Sequence, residues 1–104
     1  MITEENGVFH IRTETDSYLF KINAYGLAEH LHFGAPVKTR DAGALSCRPG
    51  LGWGAGILLD PKDTASCPDV LPLEWSGSGR GDYRESPLEL TGEPGDFRYA
   101  GYKI

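Results

Sequence analysis

Apolar and polar residues alternate along the first third of the chain, and this alternation restricts its fold more than any other feature. The alternation covers residues 8–13, 18–22 and 27–33. Turn-forming residues at 15–17 (Thr-Asp-Ser) and 23–26 (Asn-Ala-Tyr-Gly) separate the three segments. A period of two that is interrupted by such residues predicts β-strands joined in an antiparallel meander.

The same alternation predicts which side chains share a face of the sheet. In the third segment, Leu31 and Phe33 are predicted to point inward, with His30 and His32 on the opposite face. Two histidines at this spacing can hold a metal ion, but no third ligand is evident from the sequence. We therefore interpret them as solvent-facing residues and predict neither a metal site nor a cofactor.

The middle of the chain is rich in glycine and proline and has no sustained period. We interpret residues 39–81 as one long glycine-rich loop, which is uncommon unless the loop is functional or docks onto another surface. Glycines at 50, 52, 54 and 56 surround Trp53. Because such a segment has few side chains with which to form a core, the indole of Trp53 is predicted to be exposed.

The last part of the chain is regular again. Short strands are predicted at residues 82–84 and 88–90, and a further strand at 96–104, where the sequence stops on an unfinished apolar pattern. No helix longer than one or two turns is predicted. The sequence therefore indicates an all-β, antiparallel fold in one domain, residues 1–104, which we expect to be a fragment of a longer protein.

Charge and composition exclude several classes of partner. The net charge is −5, and the 10 Lys and Arg residues are scattered singly. Nucleic acids and anionic membranes require clustered basic residues, so neither is predicted as a partner. No apolar stretch has the length of a signal peptide core or a membrane-spanning helix. Cys47 and Cys67 are interpreted as free thiols, and a cytoplasmic location is predicted.

Five parts of the sequence carry a resemblance to a known family. They are residues 17–20 (SYLF), 27–34 (LAEHLHFG) with Arg40-Asp41, 71–76 (LPLEWS), 79–90 (GRGDYRESPLEL) and 96–99 (DFRY). In this order and spacing they closely resemble the N-terminal domain of bacterial-type α-galactosidases of glycoside hydrolase family 36. The resemblance spans essentially the whole chain. It departs at Tyr102, where a histidine is more usual in the family.

The resemblance implies an antiparallel β-sandwich that is part of a supersandwich. It also implies a parent enzyme that hydrolyses terminal α-galactosyl groups with retention, using two aspartates on a (β/α)₈ barrel. Both aspartates lie beyond this domain in the family, so no catalytic residue is predicted here. The family further implies α-galactoside sugars as substrates and a homo-oligomer, tetrameric in some members.

In some tetrameric members the long loop of this domain lines the substrate pocket of a neighbouring subunit. Trp53 is our candidate for a substrate-binding residue in the matching loop, because an exposed indole stacks well on the apolar face of galactose. The alternative is that Trp53 only anchors the loop. Trp75 is interpreted as a packing residue, and Asp82 with Arg84 as a structural ion pair.

Two other functions remain open from the sequence. Two tryptophans in a glycine-rich β scaffold are also compatible with a free-standing carbohydrate-binding module. A purely structural adaptor without any sugar contact is the third alternative.

Overall fold

A computed structural model describes residues 1–48, 57–77, 82, 84–92 and 95–104. Within these ranges the chain forms one four-stranded antiparallel sheet, a short 3₁₀ turn and one helix of a single turn. In chain order the elements are β1 (Ile2–Glu5), β2 (Val8–Arg12), β3 (Ser17–Ile22), β4 (Ala28–Gly34), the 3₁₀ turn Thr39–Asp41 and α1 (Ala42–Leu45). The strand order in the sheet is β1-β2-β3-β4. The predicted all-β meander is therefore confirmed, whereas the second sheet of a sandwich stays a prediction.

The first strand, β1, was not predicted from the sequence. It pairs with β2 through backbone contacts that place Ile2 opposite Ile11. Asn6 and Gly7 join the two strands with positive φ angles of 53° and 79°, the conformation of a type I′ hairpin turn. The Asn-Gly pair is itself a strong hairpin signal, but the strand before it carries two glutamates and lacks an apolar alternation.

The strands predicted at 82–84, 88–90 and 96–104 are wrong for every residue of these segments that the structure describes. Residues 95–104 instead lie across one face of the sheet. A single backbone hydrogen bond, from Tyr99 N to Gly26 O at 2.8 Å, joins this segment to the β3–β4 turn. Aromatic side chains hold the segment to the sheet. The apolar spacing that predicted a strand therefore arises because these side chains contact a face of the sheet, and not because the backbone pairs with a neighbouring strand.

The strand register divides the sheet into two faces, because neighbouring residues of a strand point to opposite sides. We call one side the aromatic face; its residues are Ile2, Glu4, Phe9, Ile11, Tyr18, Phe20, Ile22, Ala28, His30 and Phe33. We call the other side the covered face; its residues include Val8, His10, Ser17, Leu19, Lys21, Glu29, Leu31 and His32.

A β-bulge in β4 corrects the predicted assignment of faces. Leu19 pairs with His32, whereas its neighbour Phe20 pairs with His30, so Leu31 is an extra residue in β4. His30 and His32 therefore lie on opposite faces and cannot share a metal ion. The bulge also places Phe33 on the aromatic face, where it is 70% exposed. The prediction that His30 and His32 share a face, and that Phe33 points inward, was wrong.

The chain's own middle segment packs on the covered face. Leu19 and Leu31 form a buried cluster with Ala42 of α1, and Val37 and Leu45 pack against it. Farther along, residues 72–74 pair with the edge of β4: the backbone N–H of His30 donates to Pro72 O at 2.7 Å, and the N–H of Glu74 donates to Ala28 O at 2.9 Å. The described parts of the predicted long loop, 39–48 and 57–77, thus dock onto the sheet.

His10 is fully buried where the middle segment meets β2. Its Nδ1 lies 2.8 Å from Thr39 Oγ1 and its Nε2 lies 2.9 Å from Ser17 Oγ. The Ser17 hydroxyl also accepts a hydrogen bond from the backbone N–H of Val37 at 3.2 Å. Burial, together with repulsion from Arg12, lowers the pKa of His10 below its ordinary value of 6.5.

The lowered pKa of His10 predicts a loss of stability in mild acid. The unfolded chain binds a proton at His10 more readily than the folded chain, so the free energy of unfolding should fall as the pH drops through 6.5. Urea titrations between pH 7.5 and 5 should show this slope, and His10→Gln should flatten it. His32→Gln is the matched control, and an unchanged slope in His10→Gln would refute this role.

Candidate functional site

An open cavity of about 360 Å³ lies between the aromatic face and the C-terminal segment. Its floor is formed by Phe9 of β2 and Phe20 of β3, whose rings stack at 4.8 Å between centroids with an interplanar angle of 3°. These two residues lie directly opposite each other in the sheet. Because the two ring faces are turned to each other and Phe9 is only 6% exposed, the pair forms a closed apolar base to the cavity and not an open ring face.

The walls of the cavity come from the later part of the chain. Trp75 and Phe97 make an edge-to-face contact at 5.9 Å on one side. Tyr99 and Tyr102 pack edge-on against Phe9 at 6.4 and 5.0 Å. Trp75 is 41% exposed and Tyr102 is 54% exposed, so the aromatic walls remain accessible to solvent.

Polar contacts hold the C-terminal segment in place at the rim of the cavity. Arg98 donates to Tyr25 O at 2.8 Å and to the Asp96 carboxylate at 3.0 Å. The Tyr102 hydroxyl donates to Glu4 Oε2 at 2.8 Å. This hydrogen bond raises the pKa of Tyr102. The pKa of Glu4 is lowered, first by the hydrogen bond from the Gly7 N–H and then by the one from Tyr102.

Glu74 connects the segment before Trp75 to the aromatic face. Its carboxylate accepts a hydrogen bond from the Tyr18 hydroxyl through Oε2, and its Oε1 lies 2.7 Å from Nδ1 of His30. Burial and the neighbouring carboxylate raise the pKa of Tyr18 to about 12. Tyr18 therefore stays protonated at neutral pH and acts as a donor that orients Glu74, not as a base.

Glu29 forms a second polar cluster, on the covered face. It is 1% exposed, and it accepts hydrogen bonds from Arg48 Nη1 at 2.6 Å and from Asn23 Nδ2 at 2.9 Å. Lys21 Nζ lies 3.6 Å away. Burial opposes ionisation of Glu29, but these partners outweigh it and lower the pKa of the carboxyl group. The cluster fixes Arg48, at the end of the segment that crosses the covered face.

Asp82 and Arg84 form the ion pair that the sequence predicted. The guanidinium donates from Nε to Asp82 Oδ1 at 2.8 Å and also reaches Leu71 O at 2.8 Å and Pro68 O at 2.6 Å. Burial opposes ionisation of Asp82, but the hydrogen bonds from Arg84 lower its pKa. The pair thus has a structural role, and it forms although neither residue lies in a strand.

The structure tests some of the other residues that the sequence analysis singled out, but not all of them. Trp53, the candidate substrate contact, lies outside the described residues. Trp75 packs on Phe97 as predicted, but its half-exposed indole also lines the cavity. Cys47 and Cys67 are free thiols, the first exposed and the second buried. In the described ranges no group of three or more His, Cys, Asp or Glu side chains is placed to hold a metal ion.

Sequence reasoning missed the aromatic cavity. Its floor comes from β2 and β3 and its walls from residues 75–102, so no local pattern joins them. The one available signal was the density of aromatic residues at 97, 99 and 102, which was interpreted as a strand.

Comparison with known proteins gives two similar sequences, while no protein-family model matches the chain. Alpha-galactosidase Mel36A of Lactobacillus acidophilus is 31% identical over 97% of the chain. Alpha-galactosidase 1 of Pediococcus pentosaceus is 33% identical over 99% of it. The chain is thus similar, along nearly its whole length, to a part that makes up only 14% of each of these two α-galactosidases.

No helix in the described part of the chain is long and apolar enough to cross a membrane.

Proposed function

We propose that this chain is the non-catalytic N-terminal domain, residues 1–104, of a cytoplasmic, homo-oligomeric α-galactosidase. The observation that carries the proposal is the similarity of nearly the whole chain to a small part of two α-galactosidases. The antiparallel meander supports it, since the resemblance to glycoside hydrolase family 36 implies such a fold at the N-terminus. The parent enzyme hydrolyses terminal α-D-galactosyl groups with retention.

The chemistry of the described carboxylates supports a role without catalysis. A retaining glycosidase needs two carboxyl groups about 5 Å apart that face the substrate. The most buried carboxylates among the described residues are instead engaged within the fold, Glu29 with Arg48 and Asp82 with Arg84, and the half-buried Glu74 is engaged with Tyr18 and His30. The domain therefore contributes packing and binding surfaces, and the reaction takes place on the catalytic barrel.

The outer part of the aromatic face is the packing surface in this proposal. Phe33 is 70% exposed, and Ile2 and Ile11 expose apolar side chains on the same face. A cluster of large exposed apolar residues on one sheet face is typical of a surface that another part of a protein covers. The barrel or a neighbouring subunit of the α-galactosidase would cover it.

Trp53 provides the test of a contribution to the substrate pocket. In the polypeptide encoded by the full reading frame, Trp53→Ala should raise KM for a chromogenic α-galactoside about 10-fold, equivalent to about 1.4 kcal/mol of lost binding. The turnover number should change much less, because the indole binds the sugar and does not take part in bond cleavage. Leu88→Ala is the control for an exposed apolar side chain. An unchanged KM in Trp53→Ala would favour the structural adaptor.

A further inference from the structure

We infer that the aromatic cavity is a binding site for a pyranose sugar, formed within this chain and not dependent on Trp53. The inference takes only its ligand class from the proposed function, and it requires neither the catalytic barrel nor a neighbouring subunit. The two tryptophans of the sequence are compatible with sugar binding, and the cavity is the location that we assign to it.

The surface of the cavity suits the apolar face of a sugar ring. The accessible aromatic surface is that of Trp75, which lines the cavity with 41% of its surface exposed, while Phe9 and Phe20 form the apolar base. The volume of about 360 Å³ lies within the range of small-molecule sites. Rigid aromatic rings of this kind present large contact areas at a small entropic cost, which is why they dominate sites for flat, weakly polar ring faces.

The rim of the cavity supplies polar groups for the hydroxyl edge of a sugar. Trp75 and Tyr99 both line the cavity and are each more than two-fifths exposed, so the indole N–H and the phenol hydroxyl are accessible polar groups there. Arg98 also lines the cavity, and its guanidinium is oriented by Asp96 and by Tyr25 O. An apolar floor below polar groups at the rim matches a ligand with one apolar face and a hydroxylated edge.

Charge distinguishes a neutral sugar from an anionic ligand. Among the described residues that line the cavity, Arg98 is the one cationic side chain, and it already interacts with Asp96. The whole chain carries a net charge of −5. A phosphorylated or carboxylated ligand would therefore find little uncompensated positive charge, whereas a neutral pyranose needs none.

The test is a titration of the 104-residue chain with methyl α-D-galactopyranoside. In a Trp53→Phe background, Trp75 is the sole tryptophan, and its fluorescence should change saturably with a Kd on the order of 1 mM, as expected for a ligand of this size. Calorimetry on the unmodified chain should give the same Kd. Lack of saturable binding by both methods would overturn the inference and leave the cavity as a packing surface for another polypeptide.

Variants locate the site. Trp75→Ala should weaken binding at least 10-fold, while Tyr99→Phe, which removes only a hydroxyl group, should weaken it about 3-fold. Leu90→Ala, an exposed side chain away from the cavity, is the matched control. Circular dichroism and size-exclusion chromatography verify that each variant is folded and that its signal does not arise from self-association. Loss of binding in Trp53→Phe, or full affinity in folded Trp75→Ala and in Tyr99→Phe, would contradict a site in the cavity.

This outcome is independent of the proposed function. Binding by the isolated chain would stand even if the full reading frame encoded an inactive protein. Conversely, an active α-galactosidase whose N-terminal chain binds no sugar would refute only this inference.

Discussion

Leu19→Ala should lower the free energy of unfolding by about 3–4 kcal/mol, a large effect for a single substitution. Leu19 is fully buried and lies between the sheet and α1, in contact with Leu31 and Ala42. Removing its side chain leaves a cavity in a small core, where few neighbours can move to fill it. Urea denaturation followed by circular dichroism measures the change as a shift in the transition midpoint.

The control for Leu19→Ala is Leu88→Ala, because Leu88 is 43% exposed and lies outside the sheet. That substitution should change stability by no more than about 0.5 kcal/mol. Equal effects of the two substitutions would mean that the segment of residues 37–48 is not packed on the covered face. A reduced m-value in Leu19→Ala would instead indicate that the substitution releases this segment from the sheet, since less surface would then be exposed on unfolding.

Glu29→Gln should destabilise the chain by about 3 kcal/mol at neutral pH, at the lower end of the range for breaking a buried ion pair. The substitution leaves Arg48 and Lys21 without their carboxylate partner while preserving the shape of the side chain. Both cations keep partial access to water, which limits the loss. Glu5→Gln is the matched control, because Glu5 is exposed on β1.

The effect of Glu29→Gln should depend on pH in one direction. The pKa of Glu29 is lowered on folding, so its contribution to stability is present above the ordinary pKa of 4.5 and is lost as the pH falls through the folded value. The difference between wild type and Glu29→Gln should therefore shrink in acid below pH 4.5. A difference that stays constant over this range would show that the lost interaction is not that of the charged carboxylate.

The sequence allowed prediction of those strands whose patterns arise from local alternation. β2, β3 and β4 each have apolar residues at a spacing of two, and all three strands are present. β1 pairs with β2 through its backbone, but two of its four residues are glutamates. Because its sequence lacks the apolar alternation of a strand, β1 was not predicted. The lesson is that a hairpin turn, here Asn6-Gly7, can outweigh the composition of the strand that precedes it.

The bulge at Leu31 shows where alternation fails as a guide. One extra residue reverses which side chains point to each face beyond it, and the sequence contains no glycine or proline there to indicate the change. His30 consequently joins Tyr18 and Glu74 on the aromatic face, while His32 lies on the other side. A tertiary contact, the burial of Leu31 with Leu19, decides the register.

The candidate site could be predicted only in part. The ion pair of Asp82 and Arg84 followed from their spacing, and the exposed aromatic surface near Trp75 did not. The cavity needs Phe9 and Tyr99 in contact, and these residues come from opposite ends of the chain. Long-range packing of this kind leaves no periodic signal in a sequence, so only the folded arrangement reveals it.

The most direct test of the central claim is hydrolysis of an α-galactoside by the polypeptide of the full reading frame, with the 104-residue chain assayed alongside. Proton NMR of the first product identifies the anomer that is released. We predict turnover by the longer polypeptide with α-galactose as the initial product, and no turnover by the 104-residue chain. An inert longer polypeptide, an initial β-galactose product, or turnover by the 104-residue chain would contradict the assignment as a non-catalytic domain of a retaining α-galactosidase.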